Sequence, residues 1–228
     1  MAVCAVRTQN DLGPFYVLSP ERYDPRRNAE ELFGRNEGVN LLEIASVVRE
    51  TVSAASAQKA RYLILDTSHA REGIISSPKV SVGPKEIGST KKILKENDVI
   101  ISRLRPYLRQ VAFVDGEIKG WSEDSLLVCS TEFFVLRSKN DNESIAFLVP
   151  FLLSGIVQRI LTASQEGGHH PRVSESTLST LLIPNGLLAV RHEVSVGVAA
   201  GISNYRSSEK MISELIEKSD SSFEFNLI

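Results

Sequence analysis

The densest run of side chains able to do chemistry is Arg103-Leu104-Arg105-Pro106-Tyr107-Leu108-Arg109. A guanidinium is permanently charged, planar and forked, so it can grip a phosphate or the O6/N7 edge of guanine through two parallel hydrogen bonds. Pro106 stiffens the run, and arginines held on a stiff turn lose less entropy when they engage a partner. The competing use is structural, with the same arginines capping a sheet or pairing with Asp or Glu. A second basic group, Lys79, Lys85, Lys91, Lys92 and Lys95, lies beside only two acids, Glu86 and Glu96. Such a run is either a solvated surface or a phosphate contact. The stretch Gly167-Gly168-His169-His170-Pro171-Arg172 has the mixed polarity of a contact loop. It has no Cys, Asp or third His at ligand spacing, so no metal is expected there. His69-Ala70-Arg71-Glu72-Gly73 is a weaker candidate of the same kind.

Catalysis finds less support. Asp98, Glu117 and Lys119 form a D…ExK series, the set with which many nucleases hold Mg²⁺ and orient a water. Glu117 follows Asp115-Gly116, however, a hairpin-turn signal that would not hold a carboxylate rigidly. The sequence has no glycine-rich phosphate loop, HExxH or GxSxG, and no aromatic-flanked Asn/Asp-Pro-Pro element of an amino-methyltransferase. No catalytic site and no cofactor are therefore expected. Cys4 and Cys129 form no metal or disulfide spacing, and their apolar neighbours suggest two buried thiols.

The elements that must carry these residues can be read from composition and periodicity. The 228 residues are 42% hydrophobic and 24% charged. That composition is enough to bury a real core. A net charge of −2 argues against nonspecific coating of nucleic acid, which depends on phosphate neutralisation, but allows a local basic surface. No apolar run approaches membrane-spanning length and no leader pattern opens the chain, so a cytoplasmic protein is expected. Asp24-Pro25 signals a helix start and Gly34 its stop. Asn40 and Glu43 form a capping box for a short helix, with Val39 and Ile44 as its staple. From residue 61 to 137 the pattern is β, with short apolar runs at 61–66, 98–102, 110–115, 125–130 and 132–137 bounded by turn residues. Segment 76–92 reads as an irregular, solvent-facing excursion. No alternation with helices suggests a parallel sheet.

Beyond Arg137 the period becomes helical over 143–163, with a break at Ser154-Gly155 and with Pro150 placed to kink it. Ser174 caps a further short helix that Ile183-Pro184 ends. Residues 187–217 read as one long helix with a seam of Val194, Val198, Gly201, Tyr205, Ser208, Ile212 and Leu215, spaced like a heptad repeat. The seam can fold back on its own domain or pair with a second helix, Gly201 allowing close approach. The expected architecture is α+β, with a curved, mostly antiparallel sheet flanked by helices and a long C-terminal helix.

Several segments carry a resemblance when taken in order. They are Asn97-Asp98-Val99-Ile100-Ile101-Ser102-Arg103 with Gln110-Val111-Ala112-Phe113-Val114, then Ser130-Thr131-Glu132-Phe133 through Arg137, Phe147-Leu148 through Leu153-Ser154, and Gly167 through Leu178 to Leu182-Ile183-Pro184. The ordered set, spanning residues 39–184 and followed by a long helix, resembles the target-recognition domain of type I restriction–modification specificity subunits. The resemblance implies a non-enzymatic protein that reads one half of a split double-stranded DNA sequence. It also implies a helix that spaces two such domains and docks a DNA methyltransferase subunit. Usual specificity subunits carry two domains and two helices, and one of each here implies a half-subunit acting as a homodimer or beside another recognition domain. Residues 1–186 would be the recognition domain and 187–228 the spacer and dimerisation helix. The competing class is a protein-interaction module of the same fold that reads no DNA.

Overall fold

The capping box forms as the sequence predicts. Leu42 N–H donates to Asn40 Oδ1 at 2.9 Å, and Asn40 N–H to Glu43 Oε1 at 3.4 Å. It joins β1 (Gly38–Asn40) to the single helical turn α1 (Leu41–Ile44), which gives way to the extended β2 (Ala45–Val47). β-Branched Val47 and Val48 favour that change. The computed structural model describes residues 37–59, 61–76, 81–121, 125–166 and 170–224, with positions 4, 6, 8 and 9. The expected helix from Asp24-Pro25 to Gly34 lies outside the described residues, as do Lys79 and His169.

The strands that follow are β3 (Thr51–Val52), β4 (Arg61–Leu65), β5 (Ala70–Arg71), β6 (Ile74–Ile75), β7 (Ser81–Val82), β8 (Lys91–Ile93), β9 (Val99–Ser102), β10 (Val111–Phe113), β11 (Ser125–Ser130) and β12 (Phe133–Ser138). Then come α2 (Leu148–Leu153), α3 (Gly155–Ala163), β13 (Gln165–Glu166), β14 (Arg172–Val173), α4 (Glu175–Leu178), β15 (Leu182–Pro184), α5 (Asn185–Ala189) and α6 (Arg191–Glu224). The class is α+β. The strands form two main sheets, of order β10-β9-β12-β2 and β3-β8-β11-β4-β7, with β1–β15, β5–β6 and β13–β14 as two-stranded ribbons.

Among the described strands pairing is antiparallel, except for β4 beside β11. A parallel pair needs a long crossover. Here it is made not by a helix but by the β5–β10 segments between them, which is why helix alternation failed to signal it. Two further expectations are corrected. Segment 76–92 is not wholly an excursion, because Lys91–Ile93 pairs with both β3 and β11 and Ile87 is buried. The α4 helix stops at Leu178, and Leu182–Pro184 runs as a strand against β1.

Both faces of the four-stranded sheet are covered, which explains its nearly continuous apolar strands. Val99, Ile101, Val111, Phe113, Phe134 and Leu136 face the helices, while Ile100, Ala112, Phe133 and Val135 face the second sheet. Ser154 ends α2 and caps α3, its Oγ accepting from Val157 N–H at 3.4 Å. Pro150 causes no kink, because α2 begins at Leu148 and the proline falls in the first turn, where no helical N–H is needed. Cys129 is buried, and that burial pushes its thiol up to about 12. Cys4 is exposed, contrary to expectation, since apolar neighbours in sequence do not by themselves make a core.

Helix α6 starts later than expected and has 34 residues. At the usual rise per residue it runs about 50 Å. Its first turns fold back on the domain. Val194 and Val198 pack on the helix-side core, and Ile202, Ser195 and Arg206 are buried. Residues 207–222 are all exposed. The seam is thus divided, and Val194 and Val198 are spent on the chain's own core rather than left for a partner. Gly201 faces open space.

Candidate nucleic-acid interface

The arginine run is the connection between β9 and β10, and its backbone is unusual. Arg105 (φ +48°) and Arg109 (φ +54°) both take the left-handed conformation and flank a 3₁₀ turn at Pro106–Leu108. For residues with a side chain this costs about 1–2 kcal/mol each, so the surroundings must impose it. Pro106 is buried beneath the turn. Glu72 accepts from Arg109 Nε at 3.0 Å, and its own N–H donates to Arg109 O at 3.3 Å. Gly73 N–H donates to Val111 O at 2.7 Å. The 69–73 stretch is thus a clamp for the turn, while His69 itself receives Asp66 N–H at 2.9 Å. Held in this way, the turn exposes Tyr107 at 54% and Leu108 at 45% of their surfaces.

Residues 170–173 are laced to the same turn. Arg105 N–H donates to Pro171 O at 3.0 Å and Val173 N–H to Arg103 O at 2.8 Å. Arg105 Nη2 lies 3.0 Å from His170 Nδ1. The short β11–β12 connection joins them, with Arg103 N–H donating to Glu132 O at 2.8 Å. Three stretches distant in sequence therefore form one edge, which brings together Arg103, Arg105, Tyr107, Arg109, His170 and Arg172.

Acids on this edge organise the arginines. Arg172 donates to the Glu132 carboxylate through Nε (3.0 and 3.2 Å) and Nη2 (2.7 Å). Those hydrogen bonds hold Glu132 below its usual range and Arg172 above its own. Arg103 stacks 5.7 Å over the Phe134 ring, and its Nε stands 3.9 Å from Glu132. Arg49 adds an ion pair to Glu175 at 2.6 Å. Arg103, Arg105, Arg109 and Arg172 thus share the edge with Glu72 and Glu132, and Glu166 lies opposite Arg172 on the β13–β14 ribbon. Glu72 and Glu132 lie in stretches that the sequence brings forward, but nothing there marks either as an arginine partner. Glu132 is held in its turn by Ser130, whose Oγ accepts from Glu132 N–H at 3.3 Å.

Lys91 and Lys92 do not act together. Successive strand residues point to opposite faces, and on β8 Lys92 alone turns toward the arginine edge. Its Nζ donates to Phe133 O at 2.6 Å and lies 5.8 Å from the Phe134 ring. Burial lowers its pKa from the usual value. Lys91 instead donates to Ser89 Oγ at 2.7 Å.

The D…ExK series is dispersed. Asp98 is fully buried and receives Arg137 Nε at 2.7 Å, Arg137 Nη2 at 2.8 Å and Lys95 N–H at 2.8 Å. Glu117 accepts from Ser203 of α6 at 3.1 Å. Nothing is described of the Lys119 side chain. Among the described residues, no three His, Cys, Asp or Glu side chains group as a metal ligand set. No helix among them is long and apolar enough to cross a membrane.

The chain thus combines two packed sheets, an arginine edge at one end of a hairpin and a long helix leaving the other. Solved type I restriction–modification proteins have this fold. A structure described as the basis of complex assembly and conformational transition of the type I R-M system matches at TM-score 0.57 and 23% identity, over 81% of this chain and 46% of that one. The HsdS subunit from Thermoanaerobacter tengcongensis matches at TM-score 0.54 and 21% identity, again over 81% of this chain and 46% of that one. This chain thus spans a little under half the length of each. No family model and no curated protein matches it.

Proposed function

We propose that this chain recognises a specific double-stranded DNA sequence, as one target-recognition unit of a type I restriction–modification specificity subunit. The observation that carries this reading is the convergence of Arg103, Arg105, Arg109 and Arg172 on one backbone-braced edge. Rigid presentation suits base readout, in which a guanidinium must meet two acceptors at once. His170 and Tyr107 lie on the same edge and complete the contact surface, with Lys92 beside it. The chain would act in the cytoplasm as a non-catalytic subunit with DNA and a methyltransferase as partners. Residues 1–186 would form the recognition domain and 187–228 the spacer helix, whose outer part pairs with a second recognition unit.

Selecting bound duplexes from a random pool tests the reading. A recovered consensus, with no Mg²⁺-dependent cleavage of it, is the expected result. Equal retention of all duplexes would instead favour a protein-interaction module.

A further inference from the structure

Arg103 and Arg172, neighbours on the edge but 69 positions apart in the chain, share one carboxylate. Glu132 sits in the β11–β12 connection, takes Arg172 through two nitrogens, and faces Arg103 Nε at 3.9 Å. That Nε is buried and makes no hydrogen bond, while the guanidinium lies over Phe134. Yet the Arg103 and Arg172 side chains remain 39% and 42% exposed. Arg103 Nε is turned inward, so whatever a ligand meets of this guanidinium is its terminal nitrogens. Those are the atoms a guanidinium uses for bidentate contact with a guanine edge or a phosphate.

We propose that Glu132 is a positioning and specificity-determining residue of the DNA interface, orienting Arg103 and Arg172 while restraining sequence-independent affinity. This rests on the DNA-recognition reading above. The carboxylate acts in two ways. It holds the Arg172 guanidinium by hydrogen bonds and draws that of Arg103 by charge before DNA arrives, so that only a duplex with acceptors at the right spacing is well matched. It also opposes phosphates within the arginine edge, weakening binding to every duplex alike. A mere brace for the β11–β12 turn would do neither.

Two variants separate geometry from charge. Glu132→Gln keeps the shape but removes the charge, and Glu132→Asp keeps the charge but withdraws it by one methylene. Competition binding compares the selected duplex with random duplex over a salt series, and thermal melting monitors folding. In Glu132→Gln the expected result is tighter binding to random duplex and a loss of preference of about tenfold or more, the scale of one bidentate base contact. Glu132→Asp loses preference without tighter random binding. Arg172→Lys, which keeps the charge but not the fork, loses preference at the same base positions and serves if either Glu132 variant fails to fold. Unchanged preference in folded variants overturns the role of Glu132 and leaves DNA recognition standing. A wild-type chain with no preference among duplexes overturns both.

Discussion

Arg206 and Asp115, 91 positions apart in the chain, meet in a buried ion pair at 3.0 Å where the long helix leaves the body. Asp115 follows β10, whose other end receives the arginine turn, so one hairpin holds both the helix anchor and the proposed DNA edge. Val111 to Asp115 spans about 13 Å of extended chain. Ser195 adds a second anchor, its Oγ accepting from Phe147 N–H at 3.1 Å. The direction of α6 is thereby fixed relative to the edge, as a spacer between two recognition units would require.

Arg206→Ala strands Asp115 without its partner in a site nearly closed to water. Breaking a buried pair from one side costs about 3–5 kcal/mol. Replacing both with leucine is expected to cost much less, because no uncompensated charge remains. Urea denaturation of the single and double variants checks this. Equal losses would mean that packing, rather than charge, sets the value of the contact.

On the DNA edge, Arg105→Ala is expected to cost about 1–3 kcal/mol of binding and to relax preference at a single base position. Lys92→Ala should weaken all duplexes alike and flatten the salt dependence. Lys91→Ala, on the other face of β8, should do neither. Titration against the selected duplex and a scrambled one distinguishes these outcomes, and a Lys91 effect as large as that of Lys92 would misplace the surface.

Acid should weaken the Glu132 brace in a defined window. Its carboxyl is held below the ordinary value of 4.5, chiefly by hydrogen bonds from Arg172. A depressed folded pKa contributes stability that is fully present above the unfolded value and is lost as pH falls through the folded one. The stability difference between wild type and Glu132→Gln is therefore expected to be constant from roughly pH 6 to 8, the urea midpoints of the two staying the same distance apart. It should shrink below pH 4.5. A difference that instead changes between roughly pH 6 and 8 would assign the effect to another group.

The free end of α6 exposes Tyr205, Met211, Ile212, Leu215 and Ile216, at 39–62% of their surfaces. Burying side chains of this size is worth roughly 1.5–3 kcal/mol each, so the stripe favours association, in our reading with a second copy in antiparallel pairing. Ile212→Glu with Leu215→Glu should convert a dimer to a monomer at tens of micromolar (roughly the scale of weak interfaces) in sedimentation, without loss of fold. Val198→Glu is a different experiment, since it charges the intramolecular core and should destabilise the domain. A wild-type monomer would leave the stripe to a heterologous partner.

Local patterns in the sequence determined much of this architecture. The capping box at Asn40, the break at Ser154, the principal strands and the long helix all depend on residues within a few positions of one another. The arginine turn could likewise be recognised, because Arg103, Arg105 and Arg109 are neighbours. What those arginines face was decided only in three dimensions. Arg172 meets Glu132 across 40 positions and Arg109 meets Glu72 across 37. The parallel β4–β11 pair and the division of the helix seam have the same origin. Periodicity records which side of an element is apolar, because that is repeated every two or three to four residues. It does not record which other element covers that side. Val194 and Ile212 are indistinguishable as members of a heptad stripe. One is packed on the core and the other bare because the body of the domain, closed off by the Arg206–Asp115 pair, reaches only as far as the middle of the helix.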